Sequence, residues 1–245
     1  MILQQHIPYD ISEPHRLPGV APFEMADWLC ADEAYAGQMG ERLRLLTTQR
    51  ETVVAEDPAA RPAALELLDL VLANLPGGFA HEDDTVLCPD GRRETLDRRD
   101  PLGTLGRLVQ QDLCVMEKRG AEHVLTAAVL CFPASWRLSE KFLRPLTGIH
   151  VPVKPYDTGL AKRVQRLFDG VQEGRPLWRM NALPYGDAAL HQPRGEAAPR
   201  QEVDPLRAPF LRSERQCLVR LPKTRAVVFS IHTRVVRRRL DPISG

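Results

Sequence analysis

The sequence has almost no excess of charge: 33 lysines and arginines meet 32 aspartates and glutamates, a net of +1. That balance gives no footing for nucleic acid or an anionic membrane as partner. Nor is there an uncharged apolar run approaching the ~18 residues of a membrane-spanning helix. The start, M-I-L-Q-Q-H-I-P-Y-D, lacks the basic-then-apolar pattern of a secretory leader, and none is expected. The five cysteines (Cys30, Cys88, Cys114, Cys131, Cys217) stand singly, with no C-x-x-C pair. An odd, scattered set argues against a disulfide framework and against a cysteine-built zinc or iron–sulfur site, and points to a reducing, cytoplasmic setting. Histidines in H-x-x-x-H or H-E-x-x-H spacing are missing, as is a Gly-x-Ser-x-Gly elbow. Gly103-Thr104-Leu105-Gly106 has too few glycines and no following Lys-Ser/Thr, so it is no phosphate loop.

What is present is an ordinary globular composition, 43% hydrophobic and 27% charged over 245 residues, enough for one large domain or two small ones. The 21 prolines concentrate in the N-terminal arm and between Pro184 and Pro209, where irregular connections are expected. Apolar residues at three- and four-residue intervals predict helices from Asp27 to about Thr52, after Pro62, and from near Pro101. Cys88–Arg93 reads as a turn between short strands. Leu113–Lys118 and His123–Phe132 alternate as a hairpin, and Arg215–Leu221 with Ala226–Val236 form a second, turned at Pro222–Arg225. Helical pattern returns for Leu138–Leu146 and Asp157–Gln172, while Leu177–Leu183 and Ala188–Gln192 read as strands or a long loop. Strands, a helical crossing, then further strands predict an α+β protein with an antiparallel sheet and helices on one face, the order found in PAS-like folds. Residues 1–108 are expected as an N-terminal arm and helical extension, and 109–245 as the PAS-like domain, together one compact unit.

Two stretches carry chemistry. The first, Trp136 to Tyr156, delivers His150 after Thr147-Gly148 into a segment stiffened by Pro152 and Pro155. An imidazole so held can ligate a metal or shuttle a proton; a structural role is the alternative. The second is the hairpin strand from Arg212 to Pro222. Alternation puts Glu214, Gln216, Leu218 and Arg220 on one face and Arg215, Cys217, Val219 and Leu221 on the other. Either Glu214 pairs with an arginine inside the fold, or one arginine clamps a ligand carboxylate through bidentate hydrogen bonds. His191 is expected to be exposed in a polar loop, and His232 half-buried on a strand with Nδ1 bonded to a carbonyl. Arg237-Arg238-Arg239 reads as a solvated tail.

Distributed motifs then point to a family. They are Phe132-Pro133 with Trp136, Lys141 leading into Ile149-His150-x-Pro152-Val153, Arg179-x-Asn181, Arg212-x-Glu214-Arg215-Gln216, and Arg220-Leu221-Pro222 before Val227-Val228-Phe229. With these the chain resembles the heme-dependent oxidative N-demethylase alpha-subunit family across nearly its whole length. The resemblance implies a PAS-like fold holding heme b. It also implies monooxygenase chemistry on a small secondary amine, giving primary amine and formaldehyde. Electrons would come from NADPH through FMN and iron–sulfur reductase partner subunits, in a homo- or hetero-oligomer. It makes His150 the expected iron ligand. Arg212, Arg215, Arg179 and Trp136 become expected heme contacts, and Tyr156 and Lys154 expected catalytic groups. The chain differs from the family pattern at Leu143 (glycine), Ala182 (aromatic), Lys154 (proline) and His232 (arginine). These differences favour the alternative, a non-catalytic PAS-like sensor or assembly module.

Overall fold

The computed structural model describes residues 1–11, 19–150, 158–198 and 203–239. Two short strands, β1 (Ala21–Pro22) and β2 (Val54–Glu56), precede a small separate sheet of β3 (Ala80–Glu82), β4 (Thr85–Leu87) and β5 (Arg93–Thr95). The expected turn at Cys88–Arg93 joins β4 to β5. The main strands follow as β6 (Asp112–Arg119), β7 (Glu122–Val129), β8 (Leu177–Tyr185), β9 (Phe210–Arg220) and β10 (Val227–Arg237). They build one seven-stranded sheet in the order β1-β8-β9-β10-β6-β7-β2, antiparallel throughout.

Both expected hairpins are present. β9 and β10 pair without interruption from Phe210↔Arg237 to Arg220↔Val227. Their turn is seized by a helix: the Glu66 carboxylate accepts the amides of Lys223 (2.5 Å) and Thr224 (2.8 Å). The 188–192 stretch is a loop touching the chain at Ala134↔Gln192, not a strand.

The helices are α1 (Tyr35–Thr48), a single turn α2 (Arg50–Val53), α3 (Arg61–Ala73), α4 (Pro101–Leu108), two short turns α5 (Leu138–Lys141) and α6 (Leu146–His150), and α7 (Thr158–Gly170). Three expectations need correction. The first helix starts at Tyr35, not Asp27: Asp27 ends a 3-10 turn, and Asp32 instead takes the Ala34 amide (3.0 Å) just ahead of the helix. The helix expected over Leu138–Leu146 breaks into α5 and α6. Leu143 takes a left-handed φ of 59°, and Pro145 cannot donate to a continuing helix. Thr147-Gly148 lies inside α6 rather than stopping a helix.

The third correction concerns the layers. Helices cover both faces of the sheet, not one. On one face α1, α3 and α4 pack Leu45, Leu67 and Leu105 against Leu113, Val115, Val129, Val219 and Val228. On the other, Leu138, Leu146 and Phe168 of α5, α6 and α7 pack against Cys114, Met116, Leu125, Leu218 and Ile231. The first interface is tight at Gly106, where an added Cβ would stand 2.8 Å from Val129 Cγ2 and 3.0 Å from Leu46 Cδ1. β1 and β2 come from the N-terminal 108 residues, so that part of the chain contributes both edges of the sheet.

One ion pair is sealed in this core. Arg42 and Asp112 meet at 2.6 Å with side-chain exposures of 0% and 1%. Asp112 also accepts the amides of Cys131 (2.7 Å) and Phe132 (2.9 Å), so one carboxylate ties α1 to the chain leaving β7.

Candidate functional site

The alternation of β9 brings Arg212, Glu214, Gln216, Leu218 and Arg220 to the face shared with α5, α6 and α7. Register places Asn181 and Thr233 beside Glu214, and Arg179 and Ile231 beside Gln216. Glu214 Oε2 accepts from Asn181 Nδ2 (3.2 Å) and Gln216 Nε2 (3.1 Å), and Oε1 stands 3.6 Å from Arg212 Nε. The arginine partner of the buried Glu214 is therefore Arg212, two residues away on the same face.

Around this carboxylate three buried polar atoms have no hydrogen-bond partner among the described residues: Arg179 Nε, Arg212 Nε and Thr233 Oγ1. Buried polar atoms are nearly always satisfied, so three unmet ones on one sheet face require an explanation. Burial pulls the Arg179 guanidinium below its ordinary pKa, and nearby Glu214 only partly opposes this. The rest of Arg212 is committed: Nη1 donates to Leu190 O (2.9 Å) and Nη2 to Phe132 O (2.7 Å), pinning the 186–192 loop to the end of β7.

Lys141 bears on the approach to His150. Its buried ammonium donates to Ile149 O (2.6 Å) and Glu196 (2.6 Å), holding the carbonyl one residue before the histidine. Sequence pattern singled out Lys141 as part of a motif but offered no partner; Glu196 was invisible because it arrives from a loop 55 residues on. Trp136 is partly buried against the same core as Leu138 and Leu146. His150 ends α6, its side chain lying outside the described atoms, and Lys154 and Tyr156 lie outside the described residues. Among the described residues no group of three or more His, Cys, Asp or Glu is arranged to hold a metal ion.

Arg215 is not brought to this face. It points to the opposite side of the sheet, donates to Trp28 O (3.1 Å) and lies over the rings of Phe23 and Trp178. The two other histidines also depart from expectation. His191 is half-buried, with Nδ1 2.8 Å from Cys131 O. His232 is buried, 2% exposed, and meets side chains rather than a carbonyl: Nε2 lies 2.9 Å from Asp32 Oδ2 and Nδ1 3.3 Å from Cys30 Sγ. Leu143, where the family pattern has glycine, is left-handed and 48% exposed, so glycine suits that position for its backbone.

A family model described as haem-dependent oxidative N-demethylase, alpha subunit-like, matches residues 19–239. The chain belongs to this family.

Proposed function

We propose that the protein is a haem-dependent oxidoreductase of the oxidative N-demethylase type, in which His150 would hold the haem iron. The observation that carries this reading is the pair of buried atoms without a hydrogen bond, Arg179 Nε and Thr233 Oγ1, on the sheet face shared with α6, beside an Arg212 Nε that has only its 3.6 Å ion pair with Glu214. Haem b brings two carboxylates, and a buried guanidinium with an unused edge is their complement. Arg179 is the group assigned to a propionate, because a carboxylate beside it offsets the cost of its burial. Glu214, held by Asn181 and Gln216, partly offsets the burial of the Arg179 charge. Trp136 supplies an aromatic wall. Lys141, bonded to Ile149 O, makes His150 leave a fixed backbone rather than a free one.

Haem, when bound, supplies the oxidation of a small secondary amine to primary amine and formaldehyde. Lys154 and Tyr156, following within six residues of His150 in the sequence, are assigned to the substrate side, the phenol to hold the amine and the ammonium to move a proton. "Alpha subunit-like" in the family description points to a multi-subunit assembly, and the proposed electron route is NADPH through FMN and iron–sulfur partners. Among the described residues no helix is long and apolar enough to cross a membrane.

Titration of the purified protein with hemin tests the proposal. A shifted, stoichiometric Soret band that weakens in His150→Ala is the expected result. A spectrum identical to free hemin at stoichiometric protein overturns it, leaving a PAS-like sensor or assembly module as the function.

A further inference from the structure

The face of the sheet turned away from the candidate haem site carries a second constellation, Cys30, His232 and Asp32. His232 and Thr233 are adjacent on β10, so alternation sends one to each face. The loop ahead of α1 brings Cys30 and Asp32 against His232 from about 200 residues away. His232 Nε2 donates to Asp32 Oδ2 at 2.9 Å, and Nδ1 faces Cys30 Sγ at 3.3 Å. Asp32 is itself braced by Gln110 Nε2 (2.8 Å) and Gln4 Nε2 (3.1 Å). This is the order nucleophile, base, orienting carboxylate.

A second observation points to what the cluster accepts. Arg234 reaches Cys30 Sγ through Nη2 at 3.6 Å, while its buried Nη1 has no hydrogen-bond partner. Arg234 is 93% buried by its 7% exposure. Gln111 lies alongside, its amide 3.2 Å from His232 Nδ1 and 3.5 Å from Cys30 Sγ; with His232 protonated, the amide turns its otherwise unpartnered Oε1 to accept from Nδ1. A cationic edge left unmet beside a thiol is the complement of an anionic oxygen carried on that sulfur. Cys30 is also the one of the five cysteines that is only partly buried.

We propose that Cys30 is a reactive thiolate, paired with the His232 imidazolium, and a site of oxidation by hydrogen peroxide to sulfenate. The sulfur attacks one peroxide oxygen; an S–O bond forms as the O–O bond breaks. Sulfur loses two electrons and the peroxide gains them. The departing hydroxide takes the Nδ1 proton of His232 and leaves as water; the sulfenic acid so formed passes the proton of its new oxygen to the neutral His232, and Arg234 Nη1 holds the resulting sulfenate oxygen. The surrounding charges support the assignment. Burial works against the thiolate, but His232 and Arg234 outweigh it and bring Cys30 from 9.0 to about 7, with Asp32 opposing. Burial likewise works against the imidazolium, and Cys30 and Asp32 outweigh it to hold His232 above its ordinary value. Arg215 and the buried Cys217 face the cluster from β9, and Tyr9 lies under Arg234 from the N-terminal arm. Nothing here depends on haem.

The test is the pH profile of Cys30 alkylation by iodoacetamide on the purified chain, followed by peptide mass spectrometry, with dimedone trapping after peroxide. The expected midpoint is about 7. In His232→Gln it moves toward 9.0, the ordinary thiol value. At pH 6 that variant reacts about tenfold more slowly, the roughly hundredfold loss of thiolate being partly offset by its greater intrinsic nucleophilicity. Dimedone labels Cys30 in the wild type and not in Cys30→Ser. A wild-type midpoint near the ordinary thiol value overturns the proposal, as does a profile unchanged in a folded His232→Gln. The wild-type measurement decides even where His232→Gln does not fold.

Discussion

Replacing Asp112 by alanine is expected to destabilise the fold severely while leaving the backbone free to fold. The carboxylate serves Arg42 Nη1 at 2.6 Å and the amides of Cys131 and Phe132 at 2.7 and 2.9 Å, all out of contact with water. Its loss leaves a guanidinium in low dielectric and two unmet amides. Breaking a buried ion pair costs about 3–5 kcal/mol, and an unmet buried donor about 1–3 kcal/mol, but the terms overlap. Arg42 keeps Gly106 O (3.0 Å), Gln110 O (3.3 Å) and the Phe132 ring at 5.4 Å, which limits the damage. The expected cost is about 4 kcal/mol, a large share of the roughly 5–15 kcal/mol that holds a domain folded. Urea unfolding of wild type, Asp112→Ala, Arg42→Met and the double variant measures it as a cycle. The double variant should be more stable than Asp112→Ala, because no charge is then stranded. If Asp112→Ala unfolds within about 1 kcal/mol of wild type, water reaches the site and the pair is not sealed.

Two further outcomes follow from local geometry. Leu143 holds φ 59° with its side chain 48% exposed, so Leu143→Gly relieves strain while giving up little burial. A gain of about 0.5–1 kcal/mol is expected once the extra unfolded-state freedom of glycine is subtracted; a lower melting temperature would refute it. The Asp32 carboxyl is held below its ordinary 3.8: burial works against its charge, but hydrogen bonds from His232, Gln110 and Gln4 outweigh that. Its folded value being the lower one, its contribution to stability is present above about pH 4 and is lost as pH falls below it. Asp32→Asn should therefore be less stable near neutrality and show a shallower acid-side loss, read from urea midpoints taken between pH 6 and 2.

Much of the sheet was legible in the sequence, because strands announce themselves by a period of two. The hairpins β6–β7 and β9–β10 lie where alternation placed them, and the same alternation assigned Glu214 and Arg215 to opposite faces. Pro62 and Pro101 marked the starts of α3 and α4 because proline loses nothing in the first turn of a helix. Pro145 was an available signal for the break between α5 and α6 that the apolar spacing of Leu138–Leu146 overrode.

Tertiary structure decided the rest. Period says which residues share a face but not what covers it, so helices on both sides of the sheet, and Arg212 rather than Arg215 beside Glu214, emerged only from packing and register. Lys141 with Glu196, and Cys30 and Asp32 with His232, join residues 55 to about 200 positions apart. Such pairs leave no trace in local pattern. Each is created when a loop, itself shaped by caps and prolines, is laid across a strand whose side-chain directions the pleat had already set.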